Sequence, residues 1–338
     1  FLNIRNIVLM NSCTSALTIA MKLSGLKPGK NIVTTPVTCI ASNTPIKNLG
    51  GKLKWADVDT ETGMLSQETI KKVIDKNTVA VLIVNWSGIV PDLKKIYEFC
   101  TKKKVKLIID GAHSFSAKLN KKDISYYSDF TCLSFQAIKH FTCGDGGALI
   151  CKNNNDHNKA EKLKWFGFDR KQAKDEKGNW IQQQRNIDIE SNLIGYKFNM
   201  NNISAAIGLS NIGHIRKILK KHIENANTYK KQFTKSKHIK FIKEVKNSSS
   251  VYWYYTIILS SKKLRNDLEK YLLKKNIDCG QVHIPNDVYS CFKSSEINLP
   301  GVRFFSEHQL SLPCGWWISK KEIENIAKTI IGFTKSFK

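Results

Sequence analysis

The sequence predicts an α/β protein with a largely parallel β-sheet covered by helices, followed by a second, smaller α/β unit. From the start to about residue 150, short runs rich in β-branched residues alternate with helical stretches, which is typical of βαβ units. The chain has 338 residues, enough for one large domain or two moderate ones. Small disulfide scaffolds and short adaptor modules are therefore excluded.

The elements of the first unit follow from apolar runs and from their boundary residues. Gly25 suits the C-terminal cap of a first helix, and Pro91 suits the first turn of a later one. The predicted helices are residues 14–23, 67–75 and 91–103. The predicted strands are residues 31–35, 52–56, 79–84, 105–109, 130–134 and 148–151.

A polar stretch separates this part from the second unit. Residues 152–192 show little periodicity, so we expect a long excursion outside the core. Residues 202–235 then predict one long helix, and the alternating aromatic residues of 252–258 predict a strand. A helix at 264–275, a strand at 278–283 and a helix at 320–333 complete the smaller unit.

The chain is strongly basic, and its charge bears on possible partners. It has 54 Lys and Arg residues against 28 Asp and Glu residues, a formal net charge of +26. Nucleic acid, an anionic membrane or a phosphorylated ligand are therefore the first partners to consider. The basic residues are spread along the sequence and form no known nucleic-acid motif. Nucleic-acid binding thus stays a distant alternative, and we expect neither a nucleic-acid nor a membrane partner.

The cysteines and the lengths of the apolar runs indicate the cellular compartment in which we expect the protein. The nine cysteines are odd in number and contain no C-x-x-C pair, so neither a disulfide framework nor a metal site is indicated. No apolar run approaches the roughly 20 residues of a membrane helix, and no signal peptide opens the chain. We expect a soluble, cytoplasmic protein. The sequence begins at Phe1 without an initiator Met, which predicts that an N-terminal segment precedes it.

Two segments carry candidate chemistry. An apolar run ends on Asp110, at the strand edge where open α/β sheets bind ligands. Taken alone, such an aspartate is more often a helix cap or a turn residue. Lys139 precedes the glycine-rich turn at 144–147, a tight corner in which a lysine can form a Schiff base. Taken alone, it is more often a solvated surface lysine.

Together these segments resemble a known family. Asp110-x-Ala112-His113 and Ser134-Phe135-x-x-x-Lys139 are similar to motifs of the DegT/DnrJ/EryC1/StrS family of pyridoxal-phosphate-dependent nucleotide-sugar aminotransferases. The resemblance extends over nearly the whole chain in family order, and its end is similar to perosamine or viosamine synthases. The further similar segments are residues 11–17, 34–43, 195–200, 205–208, 281–283 and 311–317.

The resemblance implies a fold and an activity. The fold is that of a fold-type-I transferase, with a large pyridoxal-phosphate domain at 1–212, a mixed and mostly parallel sheet, and a small C-terminal α/β domain at 213–338. The implied reaction moves an amino group, from glutamate, to a nucleotide-linked 4-keto-6-deoxy sugar. A homodimer with shared active sites is also implied. The family's N-terminal substrate-binding segment would lie before Phe1.

The resemblance also assigns site residues. Lys139, Asp110 and His113 are the implied catalytic residues: Lys139 binds the cofactor and moves a proton, Asp110 pairs with the pyridine nitrogen, and His113 reaches the ring oxygen. The implied cofactor contacts are Cys13, Thr14, Ser15, Cys39, Asp110, Ala112, His113, Ser134, Lys139 and Lys197, the last toward the neighbouring subunit's phosphate. The implied substrate contacts are Trp86, Asp145 and His283.

Alternatives remain at several points. Ordinary packing is as plausible for Trp86 as a substrate wall, and a structural role is as plausible for His283. The reaction could instead be 3-amination or dehydration, because some relatives carry His in place of the catalytic Lys and are dehydratases. Here Lys139 is present and His140 follows it, so transamination is preferred. The sequence leaves the nucleotide and the sugar configuration open.

Overall fold

A computed structural model describes residues 1–169, 179, 193–292 and 298–337 of the chain. Its central feature is a seven-stranded sheet with the order β1-β9-β8-β5-β4-β2-β3. The strands of the first part are β1 Ile7–Met10, β2 Asn31–Thr34, β3 Lys52–Trp55, β4 Thr78–Val84, β5 Lys106–Asp110, β6 Lys118–Leu119, β7 Lys122–Asp123, β8 Phe130–Ser134 and β9 Gly147–Cys151.

The sheet is mixed and mostly parallel, as predicted. Strands β3, β2, β4, β5 and β8 are parallel neighbours, whereas β9 is antiparallel to both β8 and β1. Strands β2, β8 and β9 are buried throughout, which matches their apolar sequences. Strand β1 was not predicted; it forms the edge of the sheet beside β9.

Helices cover this sheet. They are α1 Cys13–Leu23, α2 Ile40–Asn48, α3 Gln67–Lys71, α4 Leu93–Lys102 and α5 Asn154–Leu163. Helix α5 corrects the prediction that the chain leaves regular structure at 152: Asn153 caps it, and only Ala160 and Leu163 are buried. Most of the rest of the expected excursion, residues 170–178 and 180–192, lies outside the described residues. Within the described ranges, no helix is long and apolar enough to cross a bilayer.

The second part builds a three-stranded antiparallel sheet, β10-β12-β13, with helices around it. Its elements are α6 Asn202–Asn211, α7 Ile215–Phe233, β10 Ile239–Phe241, β11 Ser248–Ser249, β12 Tyr255–Leu259, α8 Lys262–Lys274, α9 Pro300–His308, β13 Gln309–Leu312 and α10 Lys320–Ser336. Strand β11 pairs with β6 of the first part.

Three predictions for this part were wrong in detail. A 3₁₀ turn at Ile212–His214 divides the single long helix expected from residue 202. The strand expected at 278–283 is reduced to one bridge between Gly280 and Ser311. The strand expected at 252–258 begins three residues later, because Tyr252 has a φ of 49° and cannot continue an extended strand.

Helix α7 connects two hydrophobic cores. Its first turns place Ile215 and Leu219 in the cluster beneath the large sheet, whereas Ala226, Tyr229 and Phe233 pack in the cluster around β12. The boundary at 212/213 falls just before this helix, and the division into two domains there stays a prediction.

Candidate active site

The loops that follow four parallel strands, β2, β4, β5 and β8, meet at one edge of the central sheet, where such sheets bind ligands. Asp110 ends β5 at this edge and is buried. Its Oδ2 accepts a hydrogen bond of 2.7 Å from the Ser42 hydroxyl, and its Oδ1 accepts one of 3.1 Å from the Ala112 backbone N–H. Asp110 is therefore fixed in orientation from both sides.

The surroundings of Asp110 are mostly apolar or neutral. Burial raises the pKa of its carboxyl, and the bonds from Ser42 and Ala112, together with the charge of Lys139, act in the opposite direction. The Cys13 thiol points at Oδ1 over 3.9 Å, and burial raises the pKa of that thiol well above its usual value. Among the described residues, the groups that hydrogen-bond to Asp110 are all neutral.

The N-terminus of α1 forms a polar cradle beside this carboxylate. Ser12 caps the helix by accepting a bond of 3.1 Å from the Ser15 N–H, and the Ser15 hydroxyl donates to Asn11 over 2.6 Å. Gly147 of β9 permits this arrangement, because a Cβ there would lie 2.4 Å from the Ser12 carbonyl carbon. With Thr14 in the first turn, free N–H groups and hydroxyls can bind an anion here.

Lys139 enters the site from the loop after β8 and is half-buried. Burial lowers the pKa of its amine, while the charge of Asp110 and the Cys13 and Cys39 thiols raise it. The Lys139 Nζ lies 3.6 Å from the centroid of the Trp253 ring. Ser134 is the last residue of β8, directly before this loop, and is buried.

His113 lies against an aromatic residue that the sequence did not identify. Its ring stacks on Trp253 with centroids 4.2 Å apart, and the ring of His283 lies parallel to it at 6.0 Å. Burial and then Lys139 lower the pKa of His113 well below its usual value and that of His283 to about 4, so both rings are neutral. Nδ1 of His113 has no hydrogen-bond partner within the described part of the chain.

The remaining predicted contacts are distributed around this group. Ala112 is half-buried next to Asp110, and Cys39 precedes α2. The Lys197 backbone lies beside the α1 cradle, because the Asn11 N–H donates to the Phe198 carbonyl over 2.8 Å. The Lys197 side chain is exposed, with Nζ 4.1 Å from the centroid of Trp165.

Two of the three predicted substrate contacts differ in exposure. Trp86 is only 1% exposed, donates from Nε1 to the Thr256 hydroxyl and packs edge-on against Tyr254, His283 and Phe305; its role as a substrate contact stays a prediction. Asp145 is exposed in the glycine-rich turn, where it accepts a bond from the Gly146 N–H.

Sequence reasoning missed Ser42 and Trp253 as candidate site residues. Ser42 lies in the first turn of α2, within the family-like segment 34–43, and this segment was the available signal. Trp253 contacts His113 and Lys139 but belongs to the second unit, more than a hundred residues beyond Lys139. Nothing in its local sequence pattern therefore points to the site.

The geometry fits pyridoxal phosphate. The α1 cradle would hold its phosphate, and Asp110 would pair with the ring nitrogen because its own hydrogen-bonding partners supply no positive charge. Among the described residues, Nδ1 of the buried His113 has no partner and would be available to the cofactor. Fold and site together define a pyridoxal-phosphate-dependent enzyme of fold type I.

Comparisons with known proteins identify the family. The profile of the DegT/DnrJ/EryC1/StrS aminotransferase family matches residues 1–331, and the chain belongs to this family, whose cofactor is pyridoxal phosphate. A UDP-4-amino-4,6-dideoxy-N-acetyl-beta-L-altrosamine transaminase of Helicobacter pylori is 25% identical, over 100% of this chain and 88% of its own. A GDP-perosamine synthase of Escherichia coli O157:H7 is 25% identical, over 95% of this chain and 83% of its own. The crystal structure of AtS13 from Actinomadura melliaura superposes with a TM-score of 0.89 and 27% identity, over 98% of this chain and 87% of that one.

Proposed function

We propose that this aminotransferase moves an amino group from glutamate to the C4 keto carbon of a nucleotide-linked 4-keto-6-deoxy hexose. The observation that carries the assignment is a half-buried Lys139 amine whose Nζ lies 3.6 Å from the centroid of the Trp253 ring, which also stacks on His113, three residues beyond the buried Asp110. The names of the similar proteins, a UDP-sugar transaminase and a GDP-perosamine synthase, support a nucleotide-sugar substrate.

Asp110 would govern the electronics of the site. When bound, pyridoxal phosphate supplies an aldehyde that links to amines and a ring that withdraws electrons. The carboxylate would keep the ring nitrogen protonated through charge and a direct hydrogen bond. The hydrogen bonds from Ser42 and Ala112 favour the ionised carboxylate and fix its orientation.

Lys139 would hold the cofactor and then move the proton. A nucleophilic amine must be neutral, and burial lowers the pKa of Lys139 toward that state. Once the substrate amine displaces it, the free amine would carry a proton between the substrate carbon and the cofactor carbon. His113 is neutral in this site and can donate or accept a hydrogen bond at the ring oxygen.

The position of His140 favours transamination over dehydration. The His140 Nε2–H donates to the Val251 carbonyl over 3.1 Å, and its ring packs 4.5 Å from that of His222. Burial lowers the pKa of His140 to about 3. The His140 ring is thus bound to the backbone of the second unit. Lys139 is then the basic side chain of this loop that can act on a substrate.

We also propose that two copies of the chain share their active sites. Helix α6 exposes Ile203 and Leu209, each 76% accessible, and borders an apolar depression lined by Leu9, Phe141 and Met200. A second copy would cover this surface. Lys197 would then serve the partner's phosphate, so Lys197→Ala should weaken cofactor retention in dialysis; unchanged retention would remove this role.

The activity is tested by mass spectrometry of the product. Purified protein with pyridoxal phosphate and glutamate should convert a UDP-, GDP- or dTDP-linked 4-keto-6-deoxy hexose into the corresponding amino sugar, and NMR should place the amine at C4. An amine at C3, loss of water, or no reaction with any of the three nucleotides would contradict the proposal. Alanine in place of glutamate as donor tests the donor assignment.

A further inference from the structure

We infer that Trp253 is a positioning residue for Lys139: its indole face holds the lysine amine in the site, and its Nε1–H fixes the backbone next to that lysine. The inference deepens the proposed function and rests on the role given there to Lys139. Trp253, a residue of the second unit, would thus help to position a cofactor-binding residue of the first unit.

Three contacts join Trp253 to the site. The Lys139 Nζ lies 3.6 Å from the centroid of the indole ring, a distance at which an ammonium is attracted to the aromatic face. The Trp253 Nε1–H donates to the Ile138 carbonyl over 2.7 Å, directly before Lys139. The ring of His113 stacks on the same indole at 4.2 Å. One side chain thus contacts two of the three residues expected to act on the cofactor.

The backbone of Trp253 is held by an unusual turn. Its N–H donates to the Ser87 carbonyl over 2.9 Å, and the Ser87 hydroxyl donates to the Tyr254 carbonyl. Ser87 has a φ of 61°, a left-handed conformation that is strained for a residue other than glycine. Gly88 has no side chain, and a Cβ there would lie 2.5 Å from the His113 carbonyl oxygen. The turn after β4 therefore clamps the tryptophan against the loop of His113.

The charge state of Lys139 depends on groups from several elements. Burial favours the neutral amine, whereas nearby acids and the indole face favour the ammonium. The titratable groups that interact with this amine are Asp110, Cys13, Cys39, His113, His140 and His283. All six remain in a Trp253 variant, and weaker burial alone would raise the midpoint, so a lower midpoint would report the loss of the indole face.

The test measures attachment of pyridoxal phosphate to the cofactor-free protein as a function of pH. Borohydride fixes the linkage, and mass spectrometry quantifies the modified peptide that contains residue 139. Attachment should rise with pH as the amine loses its proton. Trp253→Leu removes the aromatic face, so the midpoint should fall by about one pH unit, and Trp253→Phe should lower it by about half as much. Trp316→Leu, at an exposed tryptophan, is the control and should leave the midpoint unchanged.

Each outcome bears on the inference. A midpoint that stays constant or rises in both variants, with or without a lower melting temperature, would overturn it and leave Trp253 with a packing role. If the leucine variant does not fold, the phenylalanine variant, which retains a ring, gives the answer. Absence of the fixed group from residue 139 in the unmodified protein would instead overturn the role of Lys139 itself.

Discussion

The Ser42 hydroxyl donates a hydrogen bond of 2.7 Å to Oδ2 of Asp110, and Thr38 supplies a second hydroxyl 2.7 Å from Ser42. Because the Ser42 proton points at the carboxylate, Thr38 must donate to Ser42. The amide of Asn286 donates to the Thr38 carbonyl over 2.9 Å and links this chain of bonds to the second unit. The carboxylate is thus oriented by residues outside its own strand.

Ser42→Ala should weaken cofactor binding. The Ser42 hydroxyl lowers the pKa of Asp110, so its removal leaves less carboxylate to pair with the ring nitrogen. A hydrogen bond to a charged group contributes about 1.5–3 kcal/mol, which corresponds to a loss of affinity of about ten- to a hundredfold. A spectrophotometric titration with pyridoxal phosphate measures it. Thr44→Ala, an exposed hydroxyl on the same helix, is the control, and equal affinities of the two variants would contradict the role of Ser42.

Asp110→Asn should retain attachment at Lys139 but lose turnover. The amide keeps the shape of the side chain and cannot stabilise a positive charge on the ring nitrogen, so kcat should fall by about a hundredfold or more. The Asp110 charge also raises the pKa of Lys139, so the pH midpoint of attachment should move lower in this variant. Steady-state rates near those of the unmodified protein would argue against the assigned pairing.

The protein should lose stability in mild acid through His140 and His222. Burial lowers the pKa of both, that of His140 to about 3, whereas an unfolded histidine binds a proton below about 6.5. The unfolded state therefore takes up more protons, and stability present at pH 7 declines as the pH falls from 6.5 toward 3. His140→Gln keeps a donor for Val251 and should flatten this decline in urea unfolding. Identical slopes for both proteins would contradict the prediction.

Much of the fold could be predicted because its large sheet is built from buried, β-branched strands. Strand β8 occupies the predicted residues 130–134, and β2 to β5 differ from prediction by one or two residues. Helix α5 was not predicted because only Ala160 and Leu163 face the core, too few to produce a periodic pattern. Among the described residues, the strand expected at 278–283 has no paired neighbour beyond the Gly280–Ser311 bridge.

Some residues of the candidate site could likewise be predicted from the sequence, and others could not. Asp110, His113 and Lys139 lie in local motifs, so their neighbourhood at the sheet edge could be anticipated from the order of strands and loops. Trp253 could not, because its place depends on the strained Ser87 turn and on the packing of two distant units. Trp86 lies at the predicted strand end, but its aromatic neighbours enclose it.

The assignment of Lys139 as the residue that holds pyridoxal phosphate is tested most directly by Lys139→Ala. The unmodified protein with pyridoxal phosphate should show a visible absorbance band, and borohydride should fix the cofactor on the peptide that contains residue 139. Lys102→Ala, an exposed lysine at the end of α4, should behave in the same way. Lys139→Ala should lose both the band and the fixed group. A band that persists in this variant, with the group fixed on another lysine, would contradict the assignment of Lys139.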